Sequence, residues 1–338
     1  MLPARAAVTY ILPIKAVASQ ADGEVGAYLQ WLAPQVELIV VDGSAPDVFA
    51  SHADAWGAIV RHVTPAPDLA TPMGKVGGVL TGVRLASHER LVIADDDVRY
   101  DAVALERIVR ELDDAHVVRP QNYFTPLPWH ARWDTGRMLL NRIAGGDWPG
   151  TLAVRRSILR AAGGYDGRAM FENLELVRTV LAMGGVESVP LDLFVARRPS
   201  TTKHFWSQRI RQAYDELARP PRLATQLAVL PLAILGATTI GWRSLALGVA
   251  AIVAAAELGR RRAGGTTVFP ASASLLAPAW VAERAVCSWL ALGARVLLGG
   301  VPYRGTVLRH AATPMRVLRA RLAPQPPLEQ HAPPRRSA

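Results

Sequence analysis

Residues 223–241 run for 19 positions without a charged side chain, and after Trp242 and Arg243 a second apolar run, residues 244–256, adds 13 more. A helix needs about 20 apolar residues to cross the hydrocarbon core of a bilayer. The first run is long enough, and the second becomes so if it continues through Glu257 and Leu258. Charge divides the chain at nearly the same place. Residues 1–200 carry 20 Lys+Arg and 23 Asp+Glu, a net of −3, whereas residues 201–338 carry 18 and 5, a net of +13, which together give the +10 of the 338-residue chain. A near-neutral front and a basic, apolar back suit different surroundings, and basic charge beside apolar runs fits an anionic membrane surface. Nucleic acid is not an expected partner, because no recognition helix, zinc finger or aromatic RNA-binding pattern is visible.

Arg219 and Arg222 precede the apolar pair and Arg260, Arg261 and Arg262 follow it. By the positive-inside rule, a hairpin so flanked has both ends in the cytoplasm and holds the front domain there, at the inner membrane of the cell. The competing reading is a pair of buried helices in a soluble domain. Residues 275–298 are also apolar but carry Glu283, Arg284 and Arg295, with Pro278 near the start. They predict an interfacial amphipathic helix in preference to a third span. The expected division is therefore a catalytic domain over 1–200, an interfacial segment over 201–222 and a membrane hairpin over 223–258. A basic loop and amphipathic helix follow over 259–321, then a disordered proline-rich tail over 322–338. The apolar stretch at 8–14 is too short for a signal peptide, and the single cysteine, Cys287, excludes a disulfide scaffold.

The front half alternates short β-branched runs with amphipathic segments. Residues 8–14, 36–41 and 90–94 read as buried parallel strands, and residues 24–32, 76–87 and 102–112 as helices. Such alternation predicts an α/β domain built on a mainly parallel sheet, whose ligands bind at the carboxyl ends of the strands. Asp42 and the run Asp95, Asp96, Asp97 fall at two of those ends. Three adjacent carboxylates repel one another and require a cation or strong donors, and their hard oxygens suit Mg²⁺ or Mn²⁺ holding a diphosphate. The bland alternative is a solvated acidic turn. Asp42 and Ser44 can accept hydrogen bonds from a base or ribose, or merely shape an Asx turn. Lys75, after Gly74, can approach a phosphate.

The order of ILP (ending at Pro13), VVDGS, GK and IADDD resembles the nucleotide-sugar half of family 2 glycosyltransferases with the GT-A fold. The resemblance continues through GTLAVRRSILRAAGGYD, through FENLELVR, similar to that family's F-x-E-D-x-x-L-x-x-R stretch, and through SQRIRQ, similar to its Q-x-x-R-W motif. It covers roughly residues 5–260, and membrane-bound, ceramide glucosyltransferase-like enzymes are the neighbourhood it suggests. There are three departures. Pro13-Ile14-Lys15-Ala16-Val17 replaces the usual P-x-x-N-E, Asn173 stands where the family places its general base, and Gln212 replaces the tryptophan. Loss of that tryptophan favours a single transfer over processive synthesis.

The resemblance implies an inverting glycosyltransferase acting on a nucleotide sugar, a UDP-sugar first, and on a lipid-like acceptor. Asp95 and Asp97 would hold the metal, with Pro13, Asp42, Ser44, Lys75, Asp96, Gln208, Arg209 and Arg211 as further donor-binding residues. With Asn173 unable to accept a proton, Glu172 is the first expected base and Glu175, one helical turn on, the second. Two other readings stay open. A nucleotidyltransferase would need a basic Gly-rich loop after the first strand, which ILPIKAVASQ lacks, and a non-catalytic membrane protein with a degenerate domain finds its best support in Asn173.

Overall fold

The computed structural model describes residues 7–303 and 306–323, so most of the expected proline-rich tail lies outside the described residues. The strands of the front half are β1 (Val8–Ile14), β2 (Glu37–Asp42), β3 (Arg61–Val63), β4 (Arg90–Ala94), β5 (Val98–Arg99), β6 (Val117–Val118), β7 (Gln121–Phe124), β8 (Thr151–Arg155), β9 (Glu187–Ser188) and β10 (Phe194–Arg197). Seven of them form one sheet in the order β3-β2-β1-β4-β8-β6-β9, and β5-β10-β7 form a second, smaller one. Ile11 of β1 lies between Ile39 of β2 and Ile93 of β4 in parallel register, while β8 runs antiparallel to both β4 and β6.

The near-continuous apolar character of β1, β2 and β4 follows from burial on both faces. Ile11, Ile39, Leu91 and Ile93 face the helices Gly74–Leu85 and Glu172–Ala182. Tyr10, Leu12, Leu38, Val40 and Val92 face Glu24–Leu32, Pro46–Trp56 and Ala102–Glu111. Each such Val, Leu or Ile is worth about 1.5–3 kcal/mol when wholly removed from water. The chain has the expected α/β, GT-A-type architecture. The expected elements did not include β8, which pairs with β4 along its whole length, or the second sheet, whose β5 follows the carboxyl end of β4.

The apolar runs form the helices Pro220–Thr239 and Trp242–Arg261, joined through Gly241 in a left-handed conformation at φ 93°. The second helix does continue past Glu257. A third helix, Ala271–Leu297, replaces the shorter segment expected at 275–298. All three are long and apolar enough to cross a membrane. Their packing is one-sided. Ala273, Ala277 and Ala256 press against Met138 and Leu139 of the helix Trp129–Ile143, whereas Leu232, Ile234, Leu235, Leu247 and Leu297 remain exposed.

The backbone then returns to the front domain. The hairpin β11 (Val301–Tyr303) and β12 (Thr306–Leu308) leads to His310, whose carbonyl accepts the Met170 N–H at 2.8 Å. The helix Met315–Leu322 follows and buries Leu318. The described residues of this segment, 301–303 and 306–322, thus belong spatially with the front domain.

Candidate active site

The triad occupies the turn between β4 and β5. The Asp95 N–H donates to Gly150 O at 2.8 Å, and the Val98 N–H to Asp95 O at 3.1 Å, which fixes the turn against the start of β8. A side chain at Gly150 would place a Cβ 2.8 Å from Asp95 Oδ2 and 3.0 Å from Arg197 Cζ, so it would push these two side-chain ends out of place. Arg197, from β10, donates through Nε to Asp97 Oδ2 at 2.8 Å and reaches Asp95 Oδ2 at 3.5 Å. Lys75, in the first turn of Gly74–Leu85, lies 2.5 Å from Asp95 Oδ1 and 2.7 Å from Glu172 Oε1.

Burial disfavours the Lys75 ammonium, but Asp95 and Glu172 outweigh it and hold its pKa well above the ordinary value. Burial likewise opposes the charge on Arg197, which Asp97 and Asp95 keep firmly protonated. Two cations therefore pair with three carboxylates, Asp95, Asp97 and Glu172, and burial, Asp95 and Asp96 push the Asp97 carboxyl up although Arg197 opposes them. Asp97 Oδ1 is enclosed without a hydrogen-bond partner. An orphaned carboxylate oxygen among three adjacent aspartates fits a hard divalent cation.

A cavity of about 880 Å³ opens in front of the triad, lined by Pro13 and Lys15 around the end of β1, Val41 and Gly43 around the end of β2, Lys75, and Gln208 and Arg211. That volume lies within the usual range for small-ligand and cofactor pockets. A second cavity of about 230 Å³ shares Asp95 and Arg197 with it and is walled by Glu172, Asn173, Gln212, Asp215, Trp280 and Arg284. Lys75 and Glu172 link the two through their ion pair.

Several expected site residues lie elsewhere. Asp42 is buried and lines neither cavity, although Val41 and Gly43 beside it do. Its Oδ2 accepts from His52 Nδ1 at 2.7 Å and His62 Nε2 at 3.1 Å, and its Oδ1 from the Ser44 N–H at 2.9 Å. Burial alone would raise this carboxyl, but the hydrogen bonds from His62, Ser44 and His52 hold it well below the usual range. Asp42, His52 and His62 have the spacing of a metal-ligand set. His52 Nε2 accepts the Gln20 N–H at 2.9 Å, however, so its Nδ1 carries the proton and donates to Asp42, which accounts for the cluster as a hydrogen-bonded clamp. Ser44 Oγ accepts the Ala16 N–H at 2.8 Å and ties the first two strand-end loops together. Asp42 and Ser44 thus brace the cavity rim.

Arg209 turns away from the larger cavity and is buried between Asp134 Oδ1 at 3.1 Å and Glu283 Oε2 at 2.8 Å. Glu175 lines neither cavity and its Oε2 accepts the Thr313 N–H at 2.6 Å. The Asn173 amide donates to Pro149 O at 2.9 Å. Trp206 joins a surface cluster with Trp129, Trp133 and Phe205.

Asp215 was missed. It follows the QRIRQAY segment, half-buried at the floor of the smaller cavity, with Oδ1 enclosed and without a hydrogen-bond partner. Burial, then Glu172 and Glu216, push its carboxyl up to about 8. One signal was available in the sequence. Residues 201–338 contain only five acidic side chains, and two of them, Asp215 and Glu216, stand together immediately after the Q-x-x-R segment.

The fold and site define an α/β chain of GT-A type with a carboxylate-lined cavity at the strand ends. No protein-family model matches the chain, and no curated protein is similar to it in sequence. Among solved structures it is similar to the mannosyltransferase PcManGT from Pyrobaculum calidifontis in complex with GDP-Man and Mn²⁺, at 20% identity over 84% of this chain and 87% of that one, with a TM-score of 0.50. Glucosyl-3-phosphoglycerate synthase from Mycobacterium tuberculosis, in complex with Mn²⁺, UDP-Glc and phosphoglyceric acid, follows at 19% identity over 61% of this chain and 77% of that one, with a TM-score of 0.42. At such identities the likeness is one of fold.

Proposed function

We propose that the protein is a membrane-anchored inverting glycosyltransferase that moves one sugar from a nucleotide-sugar donor to a lipid-like acceptor. The observation that carries this reading is the meeting of two cavities at Asp95, Lys75 and Glu172, a larger one at the sheet's strand ends and a smaller one beside the apolar helices. The similar fold of PcManGT, bound to GDP-Man and Mn²⁺, supports it. Asp95 and Asp97 would hold Mg²⁺ or Mn²⁺, which neutralises charge on a departing nucleoside diphosphate. Pro13, Lys15, Val41 and Gly43 frame the nucleoside end, and Gln208 and Arg211 face the diphosphate across the cavity. Lys75 orients Asp95 and Glu172 toward one point between donor and acceptor. The proton of the attacking hydroxyl goes to a carboxylate of the smaller cavity.

The exposed apolar faces of the three C-terminal helices would rest in lipid. Glu283, in the third of them, is paired with buried Arg209, so it meets protein instead of hydrocarbon. Arg219 and Arg222, both paired with Glu216, and Arg260 to Arg262 put the catalytic domain on the cytoplasmic side in this reading. An acceptor with an apolar tail would then reach the smaller cavity along the membrane.

Calorimetry on the full-length protein in detergent, with UDP or GDP and Mn²⁺, tests the donor half. Binding is expected in the wild type, with loss of at least tenfold in affinity on chelation or in Asp97→Asn. Unchanged affinity in that variant, with and without chelator, overturns the metal assignment. Labelled UDP-glucose or GDP-mannose incubated with membranes should yield lipid-extractable label, and label confined to water-soluble products refutes the lipid acceptor.

A further inference from the structure

We propose that Asp215 is the catalytic base, the carboxylate that takes the proton of the acceptor hydroxyl in place of the residue lost at Asn173. The inference rests on the glycosyl-transfer reading above and deepens it. Elimination among the groups around the smaller cavity supports it. Asn173 has no basic oxygen and is turned to Pro149 O. Glu172 is bound at 2.7 Å to Lys75, so protonating it would break an ion pair that also organises Asp95. Glu216 also keeps an enclosed, unpartnered Oε2, but its Oε1 is bound by Arg219 at 2.8 Å and Arg222 at 3.0 Å, so protonating it would break two ion pairs. Asp215 lines the same cavity and keeps an enclosed Oδ1 that no donor engages.

Its placement is rigid. Tyr214, fully buried, donates to Arg309 O at 2.8 Å on one side of Asp215, and Arg178 Nη2 donates to Ala218 O at 2.8 Å on the other. Two residues later Pro220 begins the first apolar helix, which places Asp215 on the side of the cavity nearest the apolar helices.

In the reaction the acceptor oxygen forms a bond to the anomeric carbon as the bond from that carbon to the diphosphate oxygen breaks. The electron pair leaves with the nucleoside diphosphate, and the hydroxyl proton passes to the Asp215 carboxylate, which later releases it to water. The groups facing Asp215 are Glu172 on Glu172–Ala182, Glu216 and Arg219 on its own turn, and Arg284 on Ala271–Leu297, with Arg137 and Arg222 also lining the cavity. Their balance leaves a carboxyl that ionises near 8, close to the pH at which a general base works best.

The test uses full-length protein in detergent with Mn²⁺ and UDP-glucose or GDP-mannose. Nucleotide binding is read by calorimetry, and release of nucleoside diphosphate is followed from pH 5 to 9.5, with water or membrane lipid as acceptor. Asp215→Asn is expected to bind nucleotide as the wild type does, to turn over about 10²–10⁴-fold more slowly, and to lose the limb that rises toward pH 8. Asp215→Glu should restore part of the rate and shift that limb. An Asp215→Asn rate within severalfold of wild type, retention of the rising limb, or loss of nucleotide binding in that variant overturns the assignment, the last by revealing a structural role. So does a wild type that binds donor without turning it over. A wild type that binds neither nucleotide overturns the underlying transferase reading instead.

Discussion

Replacing Asp215 with asparagine should make the protein more stable in alkaline solution, and the size of the gain follows from where the carboxyl sits. In the folded protein Asp215 holds its proton up to about pH 8, whereas in the unfolded chain it behaves as an ordinary aspartate. Between about pH 4 and 8 the folded state therefore binds more protons than the unfolded one, and stability falls as pH rises through that window. The contribution is whole below pH 4 and lost above 8. Each tenfold difference in proton affinity is worth 1.36 kcal/mol, which sets an upper limit of about 5 kcal/mol. Cavity water beside the half-buried side chain screens a good part of this, leaving roughly 2 kcal/mol. Asparagine carries no charge at either end of the window. The melting temperature of Asp215→Asn, followed by intrinsic tryptophan fluorescence in detergent, should match wild type near pH 4.5 and exceed it by a few degrees at pH 9. Taking the difference between the two proteins cancels the other titrating groups. Parallel melting curves across the whole range would refute the claim that Asp215 is buried against like charge. The expected gain in stability accompanies an expected loss of turnover, the trade that active-site strain produces.

Two further outcomes follow from the packing of the C-terminal helices. Arg209→Met leaves Glu283 in a buried site without its cation and Asp134 with Arg137 alone, and should cost about 3 kcal/mol, seen as a lowered melting temperature; an unchanged melting temperature would show that the ion pairs contribute nothing. Changing Leu232, Ile234, Leu235 and Leu247 together to glutamine alters exposed positions only, and should release the protein from vesicles of anionic phospholipid in a flotation assay while leaving Mn²⁺-dependent nucleotide binding intact. A variant that still floats with the vesicles would refute lipid contact at these faces. Cutting the chain near residue 218 is the poorer experiment, because it also removes Trp280 and Arg284 from the cavity wall and the segment that accepts from Met170 and Arg178.

Much of the architecture could be read in advance. The strands Val8–Ile14 and Arg90–Ala94 stand where the apolar runs placed them, because strands buried on both faces must be apolar at nearly every position. The helices at 24–32, 74–85 and 102–111 follow from their periodicity. Asp95 to Asp97 reach the cavity because residues after a parallel strand emerge at its carboxyl end. The helix Ala271–Leu297 was harder to read, since Glu283 and Arg284 suggested a surface helix. In the structure they are matched by Arg209 and Gln212, some 70 residues earlier in the chain.

Composition and spacing by themselves determined the two-sided sheet, the acidic triad at the end of β4 and the apolar hairpin. Each of these depends on burial pattern, and burial pattern is periodic along the chain. Only the tertiary structure decided which charges are paired. It drew Lys75 to Glu172 across 97 positions, spent Asp42 on two histidines, buried Arg209 between two carboxylates and left Asp215 facing the cavity with an unpartnered oxygen. An ionisable side chain becomes a base, a ligand or a brace through the charges within a few ångströms of it, and in a folded chain those neighbours come from distant parts of the sequence, where no periodicity records them.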